Sequence, residues 1–245
     1  MSERQELARA FELTGNDYER YRPSFPRAAV DLLVPAHVRS ILDLGAGTGK
    51  LTELLIDRAD EVFAIDPSAS MLDVLRTKLP SVVALSGTAE DIPLEEGTVD
   101  MVLVAQAFHW FERDAACRQI RRVLRPGGVL GLVWNGSDRA CAWDVACARI
   151  AHPESGTTEA ADETAAELPG FTILRSQRFA WTERISRTDY VRRWHTVSTF
   201  LAADDATHRR MTAELDVVLN TDPATRGRDL LELPQSTIAF VYAAL

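Results

Sequence analysis

Ile41-Leu42-Asp43-Leu44-Gly45-Ala46-Gly47-Thr48-Gly49 reads as a β-strand that turns through glycines into a helix. An apolar β-forming run, 38–44, precedes the loop, and an amphipathic run that predicts a helix over 48–58 follows it. Three glycines alternate over five positions, where a side chain would block a tight turn or the close approach of a ligand to the backbone. A helix starting there would aim its amide N–H groups and its positive dipole end at whatever lies over the loop. The pattern therefore predicts a binding loop.

Two details argue against a dinucleotide as the occupant. The dinucleotide fingerprint is GxGxxG, whose last glycine lets helix and strand pack closely; here the order is GxGxG. Asp43 also stands two positions before the first glycine, where a carboxylate repels a pyrophosphate and attracts an ammonium group. Glu61-Val62-Phe63-Ala64-Ile65-Asp66 reads as a second buried strand ending in an acid, placed to take both hydroxyls of a ribose. An amino-acid ammonium at one carboxylate and a ribose at the other describe S-adenosylmethionine. In the alternative reading, Asp43 and Asp66 simply cap the helices that follow them, with Pro67 suited to a first helical turn.

At this point the chain resembles the class I S-adenosylmethionine-dependent methyltransferases. Asp43 to Gly49 resembles their first motif, and Val62 to Leu72 their second strand with its ribose-binding acid and following helix. Gly87-Thr88-Ala89-Glu90-Asp91-Ile92-Pro93 resembles the adenine-contacting loop. Val99 to Val104 resembles the fourth strand, and Leu124-Arg125-Pro126-Gly127-Gly128-Val129-Leu130 the turn before the fifth. Many relatives carry aspartate where Thr88 stands; a threonine accepts the adenine amino group less well, which leaves Asp91 or the backbone at Ala89 and Glu90 as substitutes. Tyr18-Glu19-Arg20-Tyr21-Arg22-Pro23-Ser24-Phe25-Pro26 and Gln106-Ala107-Phe108-His109-Trp110-Phe111 resemble the branch that contains trans-aconitate methyltransferase-like enzymes, which act on small molecules. The resemblance implies a doubly wound α/β fold with a mostly parallel, seven-stranded, Rossmann-like sheet, helices on both faces and a helical lid. It implies cofactor contacts at Asp43, Gly45, Ala46, Gly47, Gly49, Asp66, Pro67, Met71, Thr88, Ala89, Glu90 and Gln106.

Bulk composition narrows the partners. The chain has 245 residues and 46% hydrophobic content, enough for one large α/β domain with an appendage. A formal net charge of −9 and the lack of a long basic cluster disfavour a nucleic-acid substrate. No apolar stretch approaches the ~20 residues of a membrane span, and the charged, polar N-terminus is unlike a signal peptide. Three cysteines, odd in number and without metal-ligand spacing, suit a reducing cytoplasm, act as packing residues and call for no metal. A small-molecule substrate is the expected partner, with the chain a monomer or a homodimer.

Strands at 39–44, 62–66, 82–85, 99–104 and 129–134 alternate with helices at 48–58, 69–78 and 112–124, which predicts a parallel sheet covered on both faces. Residues 3–14 and 26–34 read as helices, and 1–35 as an N-terminal cover on the cofactor-binding core at 36–135. The segment 136–185 is a variable region ending in an edge strand, with a helix over 137–150, a Glu/Thr/Ala-rich surface stretch at 153–170, and a strand at 171–181. Helical spacing over 187–219 marks a cap at 186–234, and 235–245 carries a closing strand that by resemblance inserts antiparallel near the sheet edge. The whole is expected to be a single methyltransferase domain.

For the chemistry, methyl transfer needs a nucleophile aligned about 3 Å from a sulfonium carbon and water kept out. A hydroxyl or amine acceptor also needs a base; a carboxylate needs only a cation to hold it. His109, just past the fourth strand, is the candidate base, with positioning of cofactor or loop as the alternative. Tyr21 is the second catalytic candidate, an aromatic face for the sulfonium. Tyr18, Arg22, Trp110, Trp134 and His195, with His109, are the candidate substrate contacts. Arg22 either grips a carboxylate bidentately or pairs with a neighbouring acid. The competing reactions are a nicotinamide-dependent oxidation and a cofactor-binding role without methyl transfer.

Overall fold

The computed structural model describes residues 19–152 and 167–245. The expected helix at 3–14, Tyr18 and the stretch 153–166 lie outside the described residues. The strands are β1 (Val38–Leu44), β2 (Ala59–Asp66), β3 (Val83–Ser86), β4 (Val99–Ala105), β5 (Leu124–Ser137), β6 (Phe171–Ser186) and β7 (Leu230–Ala244). The helices are α1 (Arg27–Leu33), α2 (Ala69–Lys78), α3 (Arg113–Val123), α4 (Ala142–Ala151), α5 (Arg187–His195), α6 (Ser198–Leu201) and α7 (Asp205–Thr221).

One seven-stranded sheet has the order β3-β2-β1-β4-β5-β7-β6. The pairs β1–β2, β2–β3, β1–β4 and β4–β5 are parallel, in register at Asp43↔Ala64, Asp43↔Leu103 and Val104↔Leu132. β7 inserts between β5 and the edge strand β6, at the place expected of a closing strand. Because successive strand residues face opposite ways, the central strands supply two cores. Leu42, Leu44, Phe63, Ile65, Val102, Val104, Leu130 and Leu132 pack with Ala116, Cys117, Ile120 and Val123 of α3 on one face. Ile41, Val62, Ala64, Met101, Leu103 and Val133 pack with Ala29, Val30 and Leu33 of α1 and Leu75 of α2 on the other. This double covering is why β1 and β4 read as nearly unbroken apolar runs.

The chain divides into two compact units. The described part of the first comprises 24–135, 167–179 and 237–245 and contains both of these cores. The second comprises 19–23, 136–152 and 180–236, and its own core gathers Trp143, Cys147, Tyr190, Trp194, Phe200, Leu215 and Leu219. Ser186 caps α5 by accepting from the Asp189 amide (3.0 Å), and Asp204 caps α7 by accepting from Thr207 (2.7 Å). The cysteines are free and buried, Cys117 in the first unit and Cys141 and Cys147 in the second; burial pushes their thiols up to about 11, 11 and 12. Among the described residues no helix is long and apolar enough to cross a membrane.

Three local expectations change. The run 48–58 is two 3₁₀ turns, Thr52–Leu54 and Ile56–Arg58, instead of an α-helix. Leu51 and Leu55 are buried as its amphipathic spacing requires, but the amides of Leu54, Leu55 and Arg58 bond carbonyls three residues back. The helical run 187–219 breaks into α5, α6 and α7. The Leu124–Gly128 turn is built into β5: Val99 pairs with Leu124 and Met101 with Val129, so four residues bulge opposite Asp100. Arg125 fixes that bulge through an ion pair to Asp100 (2.8 Å).

Candidate active site

Strand order reverses between β1 and β4, so their carboxyl ends open a crevice of the kind in which parallel α/β sheets bind ligands. The loop after β1 and the Gln106–Phe111 segment after β4 flank it. Gly45, Gly47 and Gly49 have φ of 74°, 54° and 83°, the left-handed region that favours glycine. Packing adds a second demand at two of them. A Cβ on Gly45 would lie 2.6 Å from the Ala107 Cβ, and one on Gly49 3.0 Å from Leu75 Cγ, whereas one on Gly47 would meet only Met71 Sδ at 3.4 Å. Gly47 is thus the glycine whose outer side stays open. The loop amides are also less available than a helix N-terminus would make them. Gly45 and Ala46 both donate to the Ile65 carbonyl (2.8 and 3.0 Å), and Gly47 donates to Asp66 Oδ2 (2.8 Å).

The two acids differ in their surroundings. Asp43 is 0% exposed; its Oδ2 accepts from the Thr52 hydroxyl at 2.6 Å, and its Oδ1 is buried without a partner. Burial pushes its carboxyl up to about 7, the Thr52 bond opposes that rise, and the neighbouring Asp66 charge adds to it. Asp66 accepts from Gly47 N and, through Oδ1, from Ser68 N (2.8 Å); burial raises its carboxyl while these two amides pull it down. Each Asp66 oxygen keeps an unused lone pair. The cap of α2 is Ser68, whose hydroxyl accepts from Met71 N (3.4 Å), so neither acid is the helix cap of the alternative sequence reading.

Gln106 has φ 57°, the lone left-handed non-glycine among the described residues, a strain of the sort that gathers at functional sites. Its amide donates to Val133 O (3.0 Å) and its Nε2 to Asn135 O (2.9 Å). Asn135 in turn donates to Ser24 O (3.1 Å) and accepts from Thr237 Oγ1 (2.6 Å), tying the end of β5 to the entry segment of α1 and to β7. In the 88–91 loop, Thr88 bridges to Asp91, Ala89 is buried, and Glu90 Oε1 accepts the Glu112 amide (2.8 Å) at the start of α3. Pro67 is exposed, and Met71 is buried beneath Gly47.

His109 sits on a 3₁₀ turn, Phe108–Trp110, and makes no hydrogen bond among the described residues. Its side chain reaches solvent, yet the surrounding protein desolvates the ring enough to hold its pKa below the usual histidine value. Trp110, 40% exposed, lies 5.0 Å from the His109 ring. Phe111 packs on Phe108 (5.6 Å) and against the Gly45 position. Trp134 is part of the core, edge-on to Phe240 at 6.1 Å, with its Nε1 unpartnered.

Tyr21, Arg22 and His195 belong to the second unit, and each has partners there. Tyr21 OH accepts from Arg192 (2.8 Å) and its carbonyl from Arg193 (2.7 Å). Arg22 donates to Thr196, through Oγ1 (3.0 Å) and the carbonyl (3.2 Å). His195 Nε2 is 3.3 Å from Thr212 Oγ1, and its ring is 4.6 Å from that of His208. Sequence reasoning missed Thr52, Asn135 and Ala107. The last two carried a signal: a polar residue ending a buried strand, and a small residue opposite a glycine.

The sequence profile of the family described as "Methyltransferase domain" matches residues 42–132, from β1 through β5. An uncharacterized methyltransferase of Mycobacterium tuberculosis is 39% identical over 235 residues, 96% of each chain. The malonyl-[acyl-carrier protein] O-methyltransferase of Methylococcus capsulatus is 35% identical over 145 residues, 55% of this chain and 52% of that one. Among solved structures, a candidate type II methyltransferase from Anaeromyxobacter dehalogenans superposes with a TM-score of 0.67 at 26% identity, covering 91% of this chain and 97% of that one. The chain belongs to the class I S-adenosylmethionine-dependent methyltransferases, and S-adenosylmethionine is its cofactor.

Proposed function

We propose that this methyltransferase acts on a small organic molecule at oxygen, a carboxylate or hydroxyl, within the branch that the trans-aconitate methyltransferase-like runs suggest. The observation that carries the cofactor assignment is the buried Asp43, with one oxygen lacking a partner at the strand-order reversal. A buried carboxylate left so is costly, and an amino-acid ammonium answers it. Asp66 offers its two unused lone pairs to the ribose hydroxyls, the open side of Gly47 admits a ligand, and Met71, Ala89 and Gln106 border the nucleoside. When bound, the cofactor supplies an electrophilic methyl group on sulfonium sulfur.

His109 takes the acceptor's proton when that acceptor is a hydroxyl. Its ring is exposed, and desolvation holds its pKa below the ordinary value, which favours the neutral, proton-accepting form at pH 7. Trp110 presents an apolar wall beside it. Support for oxygen comes from the Methylococcus O-methyltransferase, and support for a small acceptor from the net charge of −9. Free cysteines suit a cytoplasmic setting. The test is incubation with S-adenosylmethionine and panels of carboxylates, hydroxylated compounds, amines and RNA, following S-adenosylhomocysteine. Turnover confined to amines overturns the oxygen assignment, and turnover confined to RNA overturns the small-molecule assignment.

A further inference from the structure

Thr52 is a fully buried residue on a 3₁₀ turn, with its hydroxyl spent on Asp43 Oδ2 at 2.6 Å. A threonine within a helical turn ordinarily bonds a carbonyl one turn back; this one reaches nine residues back to a strand. The bond fixes which carboxylate oxygen is engaged, leaving Oδ1, buried and without a partner, as the atom open to a proton or an ammonium group.

The groups around Asp43 comprise one anion, one hydroxyl donor and one cation that is also engaged elsewhere. β2 contributes Asp66, an anion; β4 contributes Leu103 at the paired position; the turn contributes Thr52. The cation that acts on Asp43 is Lys78 of α2, itself paired with Glu53 (3.2 Å) and bonded to Gly49 O (3.3 Å). A carboxylate so enclosed favours its protonated form below about pH 7, and an arriving cation favours the ionised form.

We propose that Thr52 is a positioning residue that presents Asp43 Oδ1 to the cofactor's ammonium group, and that this ammonium displaces a proton from Oδ1, so that cofactor binding releases a proton to solvent. This rests on the assignment of Asp43 to the ammonium group. Where Oδ1 carries a proton, that proton leaves as the cation enters, so that in those molecules the buried charge is neutral before and after. The carboxyl value of about 7 sets the window: release approaches one proton per site at pH 6 and falls to about half at pH 7.

Calorimetry in two buffers of different ionisation heat counts the protons, with S-adenosylhomocysteine as the probe because it keeps the ammonium and lacks the sulfonium charge. A ¹³C titration of the Asp43 carboxyl in the cofactor-free protein reads the same group directly. In Thr52→Val the loss of the donor is expected to move both titrations to higher pH and to weaken binding at pH 7 by about tenfold or more. Thr52→Ser is expected to restore both. Equal weakening of Thr52→Val at every pH with an unchanged proton count means a packing role and overturns the inference, as does absence of proton release from the wild type at pH 6. Should Thr52→Val not fold, the wild-type count and the serine variant still decide. Asp43→Asn separates the two layers: undiminished binding overturns the ammonium assignment itself, whereas lost binding without wild-type proton release overturns only the coupling.

Discussion

At the scale of single residues, two acids at neighbouring strand ends have different duties. Asp66 is bonded on both oxygens to amides of the loop and of the α2 entry, so it shapes the loop as well as facing the crevice. Asp66→Ala is expected to weaken S-adenosylmethionine binding by roughly 10- to 150-fold, the equivalent of about 1.5–3 kcal/mol for a hydrogen bond to a charged group. Unchanged affinity by calorimetry removes Asp66 from the site. His109 makes no hydrogen bond to the cofactor-site residues Asp43, Asp66 or Gln106 among the described residues, so if it acts as the base, His109→Ala is expected to lower kcat by roughly 10²–10⁴ with cofactor affinity intact. The sign of its pKa shift adds a pH prediction. Desolvation lowers it, so the neutral base persists to more acid pH, and the acid limb of kcat/KM for the acceptor, measured at saturating cofactor where Asp43 is already ionised, should lie below the ordinary histidine value of about 6.5. A limb above that value, or one that survives in His109→Ala, excludes this residue as the base.

At the scale of elements, the Gly45 contact shows how closely the β1 loop fits the segment after β4. Gly45→Ala combines a left-handed φ, costing about 1–2 kcal/mol, with a clash against Ala107. Thermal or denaturant unfolding should register both, and adding Ala107→Gly should relieve only the clash and leave the cost of the left-handed φ. An unchanged midpoint would mean that the loop rearranges freely. The alternation of strands and helices was legible in sequence because parallel strands covered on both faces leave long apolar runs, and the helix expected over 69–78 is α2, Ala69–Lys78. The run 48–58 was misread because Leu51 and Leu55, four apart and both buried, fit an α-helical stripe, and apolar spacing does not report that the amides of Leu54, Leu55 and Arg58 bond carbonyls three residues back. Asp43 and Asp66 could be named from the chain, but their partners could not. The bond of the Thr52 hydroxyl to Asp43, and those of Asn135 to Ser24 and Thr237, depend on contacts set by the folded sheet, so their partners are not legible in local spacing even where a polar residue at a strand end is.

At the scale of the whole molecule, each unit keeps its own apolar core and its own buried polar pairs. In the second unit Tyr190 donates to the buried Asp144 at 2.6 Å, and Arg193 pairs with Glu183 beneath Tyr21. Neither pair is announced by periodicity, because a buried aspartate and tyrosine become meaningful only when folding joins residues 46 positions apart.

The placement of the thiols gives the experimenter a built-in gauge. With their ionisation suppressed and their sulfurs enclosed, alkylating reagents can react only when the surrounding structure opens. Mass-resolved iodoacetamide labelling should therefore report the sheet at Cys117 separately from the helices around Cys141 and Cys147. Saturating cofactor is expected to slow labelling at Cys117; equal rates at that site with and without cofactor would mean that ligand binding does not restrain the sheet.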